Sequence, residues 1–205
     1  MTPKVEFHFD FGSPNCYFAH KVIPDIEQRT GAKVTYVPVL LGGVFKLTNN
    51  QPPMVQFKDV KSKRDYQLME AKRFIKKHQL TQFKMNPHFP INTVQVMRAS
   101  VTAEMDGQLG KFADAVFRHM WEEGLKMDDP EVIRTALDAA DLDGARILAR
   151  IQEQDVKDKL RTNTEASVAR GTFGAPTFFV GDEMFFGKDK LRDVEEEIAA
   201  AKARA

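Results

Sequence analysis

Three short stretches combine residue types that can do chemistry. The first is Ser13-Pro14-Asn15-Cys16. A β-like run, Lys4 to Phe11, ends just before it and a helical pattern begins just after it, so Ser13 stands where free backbone N–H groups and the positive end of a helix dipole converge. A hydroxyl there caps the helix, and it can also donate a hydrogen bond to a thiolate supplied by another molecule. Cys16 lies one turn further on and is the only cysteine in the chain. It reads as a small packed hydrophobe or as a reactive thiol. A single cysteine excludes an internal disulfide and any cysteine-rich zinc site. The second stretch, Lys46 to Pro53, places a cation and the amides Asn49, Asn50 and Gln51 in a segment read as loop. The third runs from Gly174-Ala175-Pro176 to Asp189. Proline donates nothing to a strand ladder, so Pro176 before Thr177-Phe178-Phe179-Val180 reads as an ordinary strand-edge proline or as a cis-proline. A cis bond would present the N–H and C=O of Ala175 to an extended peptide. Asp189 reads as a helix N-cap or as the acceptor for an ammonium group.

The elements that must position these residues follow from patterning. Residues 4–11 alternate apolar and polar, and residues 33–40 are β-rich; the helix between them ends near Gly31, with Pro24 predicting a kink or restart. The first forty residues therefore read β-α-β with a parallel pair of strands. Residues 42–57 read as loop. Residues 61–80 turn helical and strongly basic and are expected to form a solvated face. Residues 86–91 are a turn-rich connector, after which Asn92 or Thr93 caps a helix through Met97, Val101 and Met105. A further helix spans 111–122, with Phe112, Val116, Phe117, Met120 and Trp121 at helical spacing. Helices at 130–140, 143–152 and 155–170 follow, the first two capped by Asp129 and Asp143. Gly181-Asp182 marks a hairpin between 177–180 and 183–186, and a terminal helix begins at about Asp189. β-α-β, a helical block, then β-β-α is the order of a thioredoxin-like α/β domain interrupted by an all-helical insertion. The boundaries are 1–58 and 169–205 for the two parts of the α/β domain and 59–168 for the insertion.

Composition narrows the function classes. The 205 residues carry 30 basic and 29 acidic side chains, a net charge of +1, which argues against a general nucleic-acid or membrane-surface binder. A chain this long buries roughly 70% of its unfolded surface, and 42% apolar residues suffice for a core. The N-terminus has no apolar signal-peptide core, and no apolar run approaches the roughly 20 residues that span a bilayer. The expectation is a cytoplasmic protein acting on small molecules.

In order along the chain, Phe9-Asp10-Phe11-Gly12-Ser13-Pro14, Leu41-Gly42-Gly43-Val44-Phe45-Lys46 with Asn50-Gln51-Pro52-Pro53, Phe173-Gly174-Ala175-Pro176-Thr177, and Gly181 to Leu191 resemble the bacterial 2-hydroxychromene-2-carboxylate isomerases and the related kappa-class glutathione transferases. The resemblance covers nearly the whole chain and implies a DsbA-like fold, glutathione as cofactor and a homodimer. It implies that Ser13 hydrogen-bonds the glutathione sulfur, that Ala175 and Pro176 hold its cysteinyl part by their backbone, and that Phe186, Gly187, Lys188 and Asp189 receive its γ-glutamyl end. Lys46 and Asn50 match residues near the glutathione and substrate carboxylates. Gly12 and Asn15 depart from the larger, apolar or aromatic residues usual there. Met54-Val55-Gln56 and the 86–93 segment, which offers Phe89 but no tyrosine, match the second-substrate side less well. The expected activity is glutathione-dependent cis–trans isomerisation of an aromatic-derived oxo acid. Alternatives are conjugation of electrophiles, as in kappa-type transferases, and DsbA-type thiol–disulfide exchange through Cys16.

Overall fold

The computed structural model describes residues 3–204. Strand β1 (Val5–Phe9) lies inside a four-stranded sheet. It pairs in parallel with β2 (Val34–Pro38) and antiparallel with β3 (Thr177–Val180), which pairs antiparallel with the edge strand β4 (Glu183–Phe186). Alternation in β1 sends Val5, Phe7 and Phe9 to one face and Glu6, His8 and Asp10 to the other. The first face is aromatic: Phe7 stacks on Phe9 and Phe178 at 5.4 and 5.2 Å between ring centroids. Gly181, at φ 60°, supplies the left-handed turn of the β3–β4 hairpin.

Helix α1 (Pro14–Thr30) starts at the Ser13 cap and stops at Gly31 in the left-handed conformation. The kink or restart expected at Pro24 is not a break in this helix, which runs as one element of 17 residues. One proline removes one backbone hydrogen bond at a cost of about 3 kcal/mol. Val22, Ile23 and Ile26 around it are all buried, and each such side chain returns about 1.5–3 kcal/mol.

The segment expected as loop between 42 and 57 instead contains helices α2 (Leu41–Thr48) and α3 (Pro53–Gln56). The glycines that read as loop serve close packing here. A Cβ on Gly43 would lie 3.2 Å from the Thr164 methyl, so glycine lets α2 approach the helix behind it. Helix α4 (Lys61–Lys77) buries only Phe74 and presents the solvated basic surface that its composition predicts, although Tyr66, Leu68 and Met69 are exposed on it as well.

Helices α5 (Val94–Met105), α6 (Leu109–Trp121), α7 (Pro130–Asp138), α8 (Gly144–Arg150) and α9 (Gln154–Ala169) form the block between the two β-containing parts. The expected caps are present: the Asp129 carboxylate accepts from Glu131 N at 3.0 Å and that of Asp143 from Arg146 N at 2.9 Å. Phe112, Val116, Phe117, Met120 and Trp121 of α6 are all fully buried and belong to the same hydrophobic cluster as β1 and α1. The Trp121 indole N–H donates to the Phe11 carbonyl at 2.8 Å, which fixes this block against the loop that leads to Ser13. A short 3-10 turn, Lys188–Lys190, precedes the terminal helix α10 (Leu191–Arg204).

Candidate functional site

The site is built where β1 ends and α1 begins. Ser13 is buried, with 6% of its surface exposed. Its N–H donates to the Asp10 carbonyl at 3.1 Å, and its Oγ accepts from Cys16 N at 3.3 Å. The same hydroxyl donates to the Ala175 carbonyl at 3.1 Å, closing a contact between positions 162 residues apart. The serine is therefore a helix cap and also the link between the two strand ends that carry the first and third stretches of interest. No acidic residue lies in the first turn of α1; the nearest carboxylate, Asp10, stands buried in the loop before it.

The Ala175–Pro176 peptide is cis. Among the described residues the Ala175 N–H has no hydrogen-bond acceptor, and this residue is only partly buried. The Pro176 carbonyl accepts from Gly187 N at 2.9 Å, which brings the start of the 187–189 turn beside it. Phe186 and Phe173 form an exposed aromatic pair at the same place, 4.5 Å between centroids and 42% and 39% exposed. Gly174 makes this possible, since a Cβ there would meet the Phe186 ring at 2.8 Å.

The remaining expected residues divide. Asn50 does reach the site: its amide nitrogen donates to the Phe173 carbonyl at 2.9 Å, and its oxygen accepts from Gln51 N at 2.8 Å, so it holds the turn after α2 against the 173–176 segment. Lys46 is exposed on α2 and has no ion-pair partner among the described residues. Lys188 points elsewhere: its ammonium is buried, lies 5.0 Å from the Phe74 ring centroid and pairs with the Asp189 carboxylate. Asp189 does not cap the last helix. It sits inside the 3-10 turn with its side chain largely exposed, and Gly187, at φ 99°, stands just before that turn.

Cys16 is a packed side chain. It is fully buried, and burial pushes its thiol up to about 12, with hydrogen bonds from Asp10 and Ser13 only partly opposing this. A thiol so protonated is a poor nucleophile.

One organising residue escapes the sequence reading. Asp10 is 1% exposed and has no basic partner among the described residues, and burial raises its pKa. One of its carboxylate oxygens accepts from Gly12 N at 2.8 Å. The other accepts from Leu41 N at 2.8 Å and from the Thr93 hydroxyl at 3.1 Å. It thereby gathers the loop before Ser13, the first turn of α2 and the entry to α5. Thr93 thus uses its hydroxyl on Asp10, while the Asn92 side chain accepts from Val94 N at 3.1 Å. Gly12 is required beneath it, because a Cβ would meet the Thr93 methyl at 2.9 Å. The available signal was a lone carboxylate inside the aromatic run Phe9-Asp10-Phe11.

Among the described residues there is no cluster of three or more potential metal ligands, and no helix is long and apolar enough to cross a membrane. A buried hydroxyl at a helix start and an unused backbone donor at Ala175 are groups that can pair with an extended peptide backbone.

The model of DSBA-like thioredoxin domains matches residues 4–199. A 2-hydroxychromene-2-carboxylate isomerase of Sphingobium xenophagum is 26% identical over 195 residues, covering 95% of this chain and 97% of that protein. Glutathione S-transferase kappa 1 of Rattus norvegicus is 28% identical over 207 residues, covering 93% and 88%. The solved structure of a 2-hydroxychromene-2-carboxylate isomerase superposes with a TM-score of 0.81 at 24% identity, covering 98% of this chain and 96% of that one. With the helical block set between β2 and β3, and a family match that spans nearly all of its length, this chain belongs to the DSBA-like thioredoxin domain family.

Proposed function

We propose that the protein is a glutathione-dependent cis–trans isomerase of conjugated 2-oxo acids of the 2-hydroxychromene-2-carboxylate type. The observation that carries the reading is the Ser13 hydroxyl at the start of α1, in contact with Ala175, whose own N–H is unused. Both groups fit a cysteinyl residue laid along the end of β3. The turn at Gly187, Lys188 and Asp189 fits a γ-glutamyl end: with Gly187 N–H committed to Pro176, the backbone N–H groups of Lys188 and Asp189 serve its carboxylate, and the largely exposed Asp189 carboxylate, shared with the Lys188 ammonium, serves its ammonium. When bound, glutathione supplies a thiolate that adds reversibly to a conjugated double bond and lets it rotate. Ser13 turns its hydroxyl hydrogen from the Ala175 carbonyl toward that sulfur, while Cys16 N continues to donate to Oγ. Lys46, exposed and without an ion-pair partner among the described residues, holds the carboxylate of the oxo acid. No acid–base dyad is needed for the core step; thiolate stabilisation and orientation suffice. Mixing the purified protein with 2-hydroxychromene-2-carboxylate, with and without glutathione, and following absorbance tests this reading. An isomerisation rate that does not depend on glutathione contradicts it.

A second reading, conjugation of electrophiles as in a kappa-type transferase, uses the same thiolate site. The exposed Phe173–Phe186 pair, two rings tilted at 45° to each other, favours it as an apolar surface beside Ala175. Turnover of chlorodinitrobenzene without isomerisation would select it. Thiol–disulfide exchange is disfavoured by the buried, protonated Cys16. We also propose that the protein works as a homodimer, with the exposed Met54, Val55, Tyr66, Leu68 and Met69 covered by a second copy. Residues 58–77 carry eight basic and three acidic side chains, so with the whole chain at +1 the rest is net −4, a charge match for docking this arm on a partner's body. A monomer mass in sedimentation at micromolar concentration contradicts this.

A further inference from the structure

Helices α2, α5 and α9 enclose a groove of 460 Å³ that none of the residues assigned above lines. The volume lies within the range of small-molecule sites. Its apolar wall is made by Leu40 and Leu47 at one side of α2, Val94 of α5 and Leu160 of α9, and Leu47 leaves 53% of its surface uncovered. Two cations also line it, Arg98 and Lys157. Both are half-buried, and neither has an ion-pair partner among the described residues. Their neighbour Arg161 is different, being paired with Asp158 at 2.8 Å. Glu165, exposed at the rim, pairs with neither cation.

An equally large cavity beside α1 and α6 makes the contrast plain. There Lys21 pairs with Glu122 at 3.2 Å, Arg118 with Glu123 at 3.3 Å and Lys111 with Asp141 at 4.0 Å. Every cation in that cavity already has its counter-ion, so it exerts no pull on an anion. In the α2–α5–α9 groove two cations have lost part of their hydration without gaining a counter-charge, which an incoming anion would repair.

We propose that this groove is a second binding site, separate from Ser13, for a small apolar monocarboxylic acid. The hydrocarbon body lies on Leu40, Leu47, Val94 and Leu160. The carboxylate lies between Arg98, whose guanidinium can grip it with two parallel hydrogen bonds, and Lys157. Nothing in this assignment depends on the activity proposed for Ser13.

The test is a fluorine NMR titration of the full-length protein with 4-(trifluoromethyl)benzoate in the presence of saturating glutathione. The expected result is one saturable site, retained in Ser13→Ala. The Arg98→Gln/Lys157→Gln double variant weakens binding about tenfold or more, and so does replacing the probe by the neutral 4-(trifluoromethyl)benzamide on the unaltered protein, a comparison that needs no folded variant. Absence of saturable binding at millimolar probe overturns the proposal. So does equal affinity for benzoate and benzamide, or loss of the site in Ser13→Ala, which would place the probe at the thiolate site instead.

Discussion

The two sides of the candidate active site are made in different ways. On the Ser13 side the groups are backbone atoms or a short side chain held by the fold: Ser13 to Cys16 N and the Ala175 carbonyl, Pro176 to Gly187 N. On the side proposed for the second substrate they are exposed side chains, Lys46 on a short helix and the Phe173–Phe186 pair beside Ala175. The first side has one geometry and suits one invariant partner. The second can change its residues at little cost in stability, which suits a variable electrophile. Asp10 is the fixed point between them, since its carboxylate holds the loop before Ser13 and the start of α2 together.

Removing the Ser13 oxygen should have the largest effect. Ser13→Ala is expected to lower kcat/KM by about 10²–10³, the usual loss for one donor aimed at developing negative charge, with steady-state kinetics as the check. A variant retaining full activity would erase the distinction between the two sides. Next is Asp10→Ala, which strands Gly12 N, Leu41 N and the Thr93 hydroxyl in a buried place. At about 1–3 kcal/mol per unsatisfied group, a loss of at least about 3 kcal/mol is expected in denaturant unfolding.

The same face of β1 gives a pH test of similar size. Burial depresses the pKa of His8 from 6.5 to about 4. The unfolded chain takes up this proton near pH 6.5 and the folded one only near pH 4. The stabilisation is therefore complete above pH 6.5 and is lost as pH falls through that window, by about 3 kcal/mol in all. Thermal melts should show this slope, and His8→Phe should flatten it. Lys46→Gln is expected to raise KM for the carboxylate-bearing substrate about tenfold, some 1.4 kcal/mol, while leaving that for glutathione nearly unchanged. An equal rise in both would mean that Lys46 does not discriminate between the two sides. The smallest effect belongs to Cys16→Ala, expected to retain activity and to cost about 1 kcal/mol of stability.

Much of this arrangement was legible in the residues because its signals are local. Ser13 before Pro14 announces a cap, Asp129 and Asp143 announce two more, and Pro176 before a β run announces a strand end. Patterning likewise placed all four strands and the helical block. What it missed depends on contacts remote in sequence. Asp10 finds its partners 31 and 83 positions away. The glycines of α2 look like loop until Thr164 is seen packed against one of them. Lys188 lies in a 3-10 turn that patterning did not mark, since the terminal helix was expected from about Asp189, and its buried side chain lies against Phe74, on a helix more than a hundred residues earlier.

The central claim is that Ser13 stabilises a thiolate that the protein does not itself carry. Ultraviolet titration of the thiolate absorbance of protein-bound glutathione tests it most directly. The expected result is ionisation well below the free-thiol value of about 8.5, returning toward that value in Ser13→Ala and unchanged in Cys16→Ala. Identical titrations for Ser13→Ala and the unaltered protein, or a signal that disappears with Cys16, would contradict the account.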